Sequence, residues 1–299
     1  MAHHRTIRRY VLIIEKIEQN RFPPFERLQS YLGDHGIQVS KRTIERDLEQ
    51  IRYVFGLNIK YDRAREGYYI DKEHTSDFDT FMRFMEIVNT AQLITDSLSE
   101  SSDSLSYISF DKGGGLQNVE LLKPLLRATT EHRTISFEHL NYQTGKLKPF
   151  TIEPYLLKEY QNRWYVVGWF PKRKAMLTFG IDRIQELKVN TEMFVFDEEL
   201  DPKYRFEQII GVNYTEEKMQ KIVLSFTAFQ GKYVKSLPVH YTQKILVDDE
   251  NEFRIELWVI PNYELTQFIL MHSNNVKVIQ PEWLVKEIKD RLKNTLNQY

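Results

Sequence analysis

Residues Ser40 to Arg52, reading SKRTIERDLEQIR, limit the fold more than any other stretch of the chain. Ile44, Leu48, Ile51 and Phe55 recur at helical spacing, so a helix here has one buried side. Ser40 stands before it as an N-cap, because its hydroxyl can accept from a free first-turn N–H. Lys41, Arg42, Thr43 and Arg46 fall off the apolar stripe, mostly in the first two turns. A recognition helix presents this layout to a major groove, with N-terminal residues at base edges and basic groups at phosphates.

Charge supports that reading only after the chain is divided. The net charge of the whole is −1. Residues 1–72 hold 14 Lys and Arg against 10 Asp and Glu, and the remainder hold 27 against 32. The positive excess therefore sits with the Ser40 helix, as a local electrostatic footprint would. At 299 residues there is room for two or three cores. Cysteine is absent, which removes disulfides, thiolate nucleophiles and Cys-based zinc sites. No apolar run approaches the roughly 18 residues of a membrane span. The run Tyr10 to Ile14 after Arg5–Arg9 is too short for a signal-peptide core. The expectation is a cytoplasmic protein with no membrane partner.

Two further helices precede Ser40. Ile7, Tyr10, Val11, Ile14 and Ile17 mark the first; Pro23-Pro24 punctuates; Phe25, Leu28 and Leu32 carry the second, ending near Gly33 to Gly36. Leu57–Tyr61 and Gly67–Ile70 then read as strands around the charged turn Asp62 to Glu66. Three helices and a basic-tipped hairpin make a winged helix-turn-helix over residues 1–72. Val39-Ser40-Lys41-Arg42-Thr43-Ile44, Arg46-Asp47-Leu48 and Gly67-Tyr68-Tyr69-Ile70 make this stretch resemble the head of DeoR-like bacterial repressors. The resemblance implies that Lys41, Arg42, Thr43 and Arg46 meet DNA beside the Ser40 cap. It also implies that Arg63 and Arg65 touch backbone or minor groove. A solvated helix face used for protein contacts is the competing reading.

Residues 73–118 read as a helical linker. Phe78, Phe81, Met85 and Val88 form one stripe; Phe84, Ile87, Ala91, Ile94 and Leu98 form another about 100° away. Two stripes call for two bodies, the head and a partner subunit, or for one wide groove in the same chain. Residues 99–118, rich in Ser, Asp and Gly, read as a flexible loop.

Over residues 119–213 a short helix, Leu121–Thr130, precedes five strands, at Thr134–Leu140, Phe150–Tyr160, Arg163–Phe170, Ala175–Phe179 and near Leu187–Val189. That order predicts a small Sm- or SH3-like barrel. Over residues 214–299 the order is βαββαβ with a closing helix, a ferredoxin-like arrangement. The fold class expected for the whole is α+β and multidomain.

Arg163-Trp164-Tyr165-Val166-Val167-Gly168-Trp169, with Phe179-Gly180-Ile181-Asp182-Arg183-Ile184 and Glu153-Pro154-Tyr155, resembles the signature of WYL-domain regulators, with Val166 in place of the Leu. The resemblance implies an Sm-like barrel that senses a small nucleotide or single-stranded nucleic acid and controls the DNA-binding head. It also implies a homodimer and a ferredoxin-like extension. Strand alternation places Trp164, Val166 and Phe170 on one face and Arg163, Tyr165, Val167 and Trp169 on the other. The first face is assigned to the core and the Arg163/Tyr165 face to a ligand; a wholly structural strand is the alternative. Tyr155, Lys158, Arg183 and His139 join Arg163 and Tyr165 as candidate ligand residues. Arg183 could instead simply pair with Asp182, and His139 could be an ordinary strand histidine. The family's basic positions are lost at Gly180, Leu177 and Phe150, and His139 stands at an often aromatic position.

The eight His residues show no zinc spacing, no Gly-rich segment continues as a phosphate loop, and no Gly-x-Ser-x-Gly occurs. No cofactor and no catalytic residues are assigned. The expected function is a sequence-specific DNA-binding transcription regulator, a repressor on double-stranded operator DNA. Two alternatives stand beside it, a nucleic-acid-binding accessory protein without promoter specificity and an enzyme with a DNA-targeting head.

Overall fold

The computed structural model describes residues 2–19, 22–71, 78–100 and 117–299. The chain forms two compact units, residues 1–111 and 112–299. Most of the segment expected to be a flexible loop, residues 101–116, lies outside the described residues.

The first unit holds α1 (Ala2–Gln19), α2 (Phe25–Asp34), α3 (Lys41–Phe55), the hairpin β1 (Ile59–Asp62) and β2 (Gly67–Ile70), and α4 (Phe78–Glu100). Ser40 caps α3 by accepting from the Thr43 N–H, and Gly56 ends it in the left-handed region at φ 65°. The hairpin pairs Ile59 with Ile70 and Asp62 with Gly67. Its turn closes on the Asp62 carboxylate, which accepts from the backbone N–H of Ala64 at 2.9 Å and of Arg65 at 3.0 Å. The Tyr68 N–H donates to the Pro23 carbonyl at 3.0 Å, and Gly67 lies so close to the Phe22 backbone that any β-carbon would collide with it.

Ile13, Ile14, Leu28, Leu32, Ile44, Leu48, Ile51, Leu57 and Ile59 make the core of this unit. Each such side chain contributes about 1.5–3 kcal/mol on burial. Phe81 and Met85 of α4 join that core, with Phe78 and Met82 packed against it. Of the second α4 stripe, Phe84 and Ile87 are 46% and 57% exposed among the described residues. One polar contact crosses the core. Arg9 of α1 donates to Asp47 of α3 through Nε at 2.6 Å and Nη2 at 3.0 Å, and Asp47 is 1% exposed.

The second unit begins with α5 (Leu122–Thr130) and five strands: β3 (Arg133–Asn141), β4 (Lys146–Tyr160), β5 (Arg163–Phe170), β6 (Ala175–Gly180) and β7 (Ile184–Met193). They pair antiparallel in the order β6-β5-β4-β3-β7. The expected barrel is therefore not closed, because β6 and β7 are the two edges of the sheet. Instead of a hairpin, the 3-10 turn Ile181–Arg183 joins them, and it buries Ile181 in the core. The long β4 serves both halves, pairing with β3 up to Ile152 and with β5 from Glu153.

After α6 (Lys203–Glu207) come β8 (Gln220–Thr227), α7 (Ala228–Ser236), β9 (Lys244–Asp248), β10 (Glu252–Val259), α8 (Tyr263–His272), β11 (Val276–Gln280) and α9 (Glu282–Leu296). The βαββαβ order is as expected, and the strands lie in the order β11-β8-β10-β9. Phe253, Ile255, Leu257 and Val259 alternate into the core, where they meet Leu265, Ile269, Leu284 and Ile288 of the helices.

Strand β5 runs between two cores. Val166 and Phe170 pack with Leu125, Ile135, Phe137, Ile152 and Phe179. Val167 packs on the other side with Tyr155, Met176, Phe194, Phe206, Ile209 and Ile260, and Trp169 rests against that group. His139 lies in an aromatic nest, with ring centroids 5.1 Å from Phe179, 6.3 Å from Phe150 and 6.4 Å from Phe137. Burial pushes its imidazole down to about 4, and the Arg183 charge acts in the same direction.

Two stability predictions follow from these buried groups. Asp47→Ala leaves Arg9 charged and unpaired in the core, and should destabilise the first unit by about 3–5 kcal/mol in urea unfolding. The double change Arg9→Met with Asp47→Leu should recover most of that loss. For His139, the imidazole is neutral in both states above pH 6.5, so it contributes no pH dependence there. As pH falls toward 4 the unfolded chain takes up a proton that the folded chain refuses, so stability is lost. His139→Phe should remove about 2 kcal/mol of the stability difference between pH 7 and pH 5, measured by denaturant unfolding at each pH.

Candidate functional site

Burial of Ile44, Leu48 and Ile51 sets the rotation of α3 and turns Lys41, Arg42 and Arg46 to solvent. Arg42 and Arg46 have no ion-pair partner among the described residues. Lys41 is steered instead: its Nζ lies 5.2 Å from the centre of the Phe25 ring on α2. Thr43 is half-buried, and its hydroxyl lies 2.9 Å from that of Ser40. Ser40 and Thr43 therefore share this hydroxyl–hydroxyl bond as well as the Thr43 N–H cap, and keep capacity for a further polar partner.

The wing residues divide in the same way. Arg63 and Arg65 are both exposed in the hairpin turn. The Arg65 guanidinium stacks over the Phe22 ring at 4.3 Å. Phe22 and Phe25, on either side of Pro23-Pro24, are thus platforms for two of the candidate cations. Sequence reading placed Phe25 on the second helix, where it packs against the core, and passed over Phe22; an aromatic on each side of a rigid Pro-Pro pair was the available signal. The Arg9–Asp47 pair was also missed, although Asp47 falls toward the apolar side of a helix, where a lone carboxylate needs a partner.

In the middle domain, cross-strand register puts Lys158, Tyr165 and Gly180 in one row across β4, β5 and β6, with Tyr160 and Arg163 in the row below. Asp182 lies between two cations, 3.9 Å from Arg163 Nη1 and 3.8 Å from Arg183 Nε. The Arg183 guanidinium also covers the Tyr142 ring at 5.0 Å. Tyr142 was not foreseen; its place in the turn after β3 gave no periodic signal. Burial raises the Tyr165 phenol above its ordinary value, and both Arg163 and Arg183 are near enough to oppose that shift.

The departures from the family pattern have a physical account. A β-carbon at Gly180 would meet Asp182 Oδ1 at 2.5 Å and Arg183 Nη2 at 3.0 Å. The Asp182 and Arg183 side chains together fill the space that a residue at 180 would use. Leu177 and Phe150 pack against the core of the domain. Arg163, Tyr165 and Arg183 are brought together, with His139 near enough to feel the Arg183 charge. Tyr155 is not with them. It is 4% exposed, its hydroxyl accepts from the Asp197 N–H at 3.3 Å, and it packs on Phe194 and Phe196. Lys158 leans the same way, with Nζ 5.3 Å from the Phe206 ring, and burial pushes its ammonium pKa down.

The arrangement offers two guanidinium groups loosely held by one carboxylate beside a half-buried phenol, which suits an anionic group able to displace Asp182. Among the described residues no three His, Asp or Glu side chains gather as a metal site would require. No helix among them is long and apolar enough to cross a membrane. A separate groove of about 560 Å³ lies in the C-terminal domain, lined by Gln220, Asn262, Tyr263, Trp283 and Arg291 among others; none of the sequence-predicted residues lines it.

Comparison with known proteins bears on both domains of the second unit. Residues 120–189 match the WYL domain, and residues 218–296 match the WCX domain. No curated protein sequence matches the chain. Among solved structures, the chain is similar to proteasome accessory factor B/C (PafBC) of Arthrobacter aurescens at 18% identity and a TM-score of 0.32, covering 97% of this chain and 46% of that one. It is also similar to a CRISPR Cas-related protein at 12% identity and a TM-score of 0.39, covering 60% of this chain and 50% of that one. The chain thus spans about half the length of either, and both are loose overall likenesses. The chain therefore carries a WYL domain over residues 120–189, followed by a WCX domain over residues 218–296.

Proposed function

We propose that this protein is a sequence-specific DNA-binding transcription regulator, a repressor that acts as a homodimer. In this reading residues 1–72 are a winged helix-turn-helix, the five-stranded sheet is an opened Sm-like barrel, and the C-terminal domain is ferredoxin-like. The carrying observation is α3: one side fully buried, the other presenting Arg42 and Arg46 without ion-pair partners among the described residues. The exposed Phe84 and Ile87 of α4 support a second subunit as their cover. The Arg163–Asp182–Arg183 group supports an anionic effector, a nucleotide or single-stranded nucleic acid. Such an effector controls DNA affinity by binding the DNA-competent and DNA-released arrangements unequally. Its release of the head from DNA completes the reading, in a protein working in the cytoplasm and without a catalytic role.

A footprint on the gene's own upstream region should show two half-sites about one helical turn, or a multiple of it, apart. Arg42→Ala should cost about 1–3 kcal/mol on that site and relax one base position. Lys41→Ala should weaken all duplexes alike and flatten the salt slope. Equal binding of the native region and scrambled DNA at physiological salt would favour an accessory protein without promoter specificity. For the effector, Arg163→Ala and Arg183→Ala should leave DNA binding intact and abolish release by a nucleotide or short single strand in the same gel-shift assay. Unchanged release in both variants would remove this face from the mechanism.

A further inference from the structure

The outermost positions of α3 form a single line. Arg42, Arg46, Glu49 and Tyr53 fall within roughly 60° of one another on a helix of 3.6 residues per turn. All four are exposed, Tyr53 at 88%. Ile44, Leu48 and Ile51 are buried on the opposite side, which makes this line the ridge that faces away from the unit. From Arg42 to Tyr53 it runs about 16 Å at 1.5 Å per residue. That covers roughly five base steps at 3.4 Å each.

A carboxylate stands inside this basic line. Glu49 has no ion-pair partner among the described residues. Arg52, one turn on, is committed to the Ile59 carbonyl at 2.6 Å. A negative charge facing a duplex is repelled by phosphates, so it weakens binding to any sequence. The same charge is favoured only where a base edge presents a donor. In the major groove cytosine N4 and adenine N6 do so, but adenine N7 is an acceptor beside its N6 and repels a carboxylate, whereas guanine O6 and N7 and thymine O4 are acceptors, which leaves cytosine as the favoured base.

We propose that Glu49 is a specificity-determining residue: its carboxylate accepts from cytosine N4 at one position of the half-site, and its charge disfavours duplexes that lack a donor there. This rests on the reading of α3 as the helix that enters the major groove. Arg42 and Arg46, on the same line, suit guanine O6 and N7 at neighbouring steps. The half-site beneath α3 is therefore rich in G·C pairs.

The test is selection of binding sites from a random duplex pool by the full chain and by Glu49→Gln and Glu49→Ala, with affinities for selected and scrambled duplexes measured at several salt concentrations. The wild type should require C·G at one position, with a loss of about tenfold or more on its replacement. Glu49→Gln should move that position to A·T, because an amide bonds adenine N6 and N7 together. Glu49→Ala should leave the position unselected. Both variants should bind scrambled duplex more tightly than the wild type, with an unchanged salt slope, since no phosphate contact is lost. Identical selected sequences from all three proteins would overturn the role of Glu49 alone. A wild type that enriches no sequence would overturn the DNA-reading assignment of α3 and Glu49 with it, a result visible before any variant is compared.

Discussion

The buried pair between Arg9 and Asp47 decides how α3 is presented. An apolar stripe by itself tolerates some roll, because Ile44, Leu48 and Ile51 could slide over α1 at little cost. A guanidinium gripping a carboxylate through two nitrogens, at 2.6 and 3.0 Å, tolerates far less. The pair is costly to desolvate and costlier still to break, so it holds one register between α1 and α3. The hairpin is tied to the same body through Phe22, Pro23 and Gly67. The outward line of α3 and the tip of the wing are consequently parts of one rigid arrangement.

The WYL domain solves a different problem. Its strand β5 packs between two cores, with Arg163 exposed and Tyr165 half-buried toward its start. The turn Ile181–Arg183 joins the two edge strands and buries Ile181 in the core. That turn also carries Asp182 and Arg183 to the start of β5. Phe150 and Leu177 are partly buried and pack against the core of the domain. The Asp182 and Arg183 side chains both lie over Gly180.

Much of this was legible in the residue order. The helical spacing over Ile44, Leu48 and Ile51, the Ser40 cap and the hairpin around Asp62 to Glu66 all rest on local periodicity and turn chemistry. The βαββαβ order of the C-terminal domain was legible for the same reason. The failures were of two kinds. Barrel closure depends on whether two edge strands meet, and no local signal in Ala175–Phe179 or Leu187–Val189 reports that. Tyr155, grouped with Arg163 through the family pattern, packs elsewhere on Phe194 and Phe196, because a sequence pattern does not report what covers a side chain.

The amino-acid sequence by itself determined which residues form elements, which face of each is apolar, and that a basic-faced helix precedes a WYL signature. These follow from spacing, and spacing is a one-dimensional property. Tertiary structure alone decided that Arg9 holds Asp47, that Phe22 and Phe25 take Arg65 and Lys41, and that Asp182 and Arg183 occupy the space above Gly180. Each of these joins side chains from different elements, or fills a space whose size only packing defines. Local rules end at the boundary of an element, whereas ion pairing and stacking act across space without regard to distance along the chain.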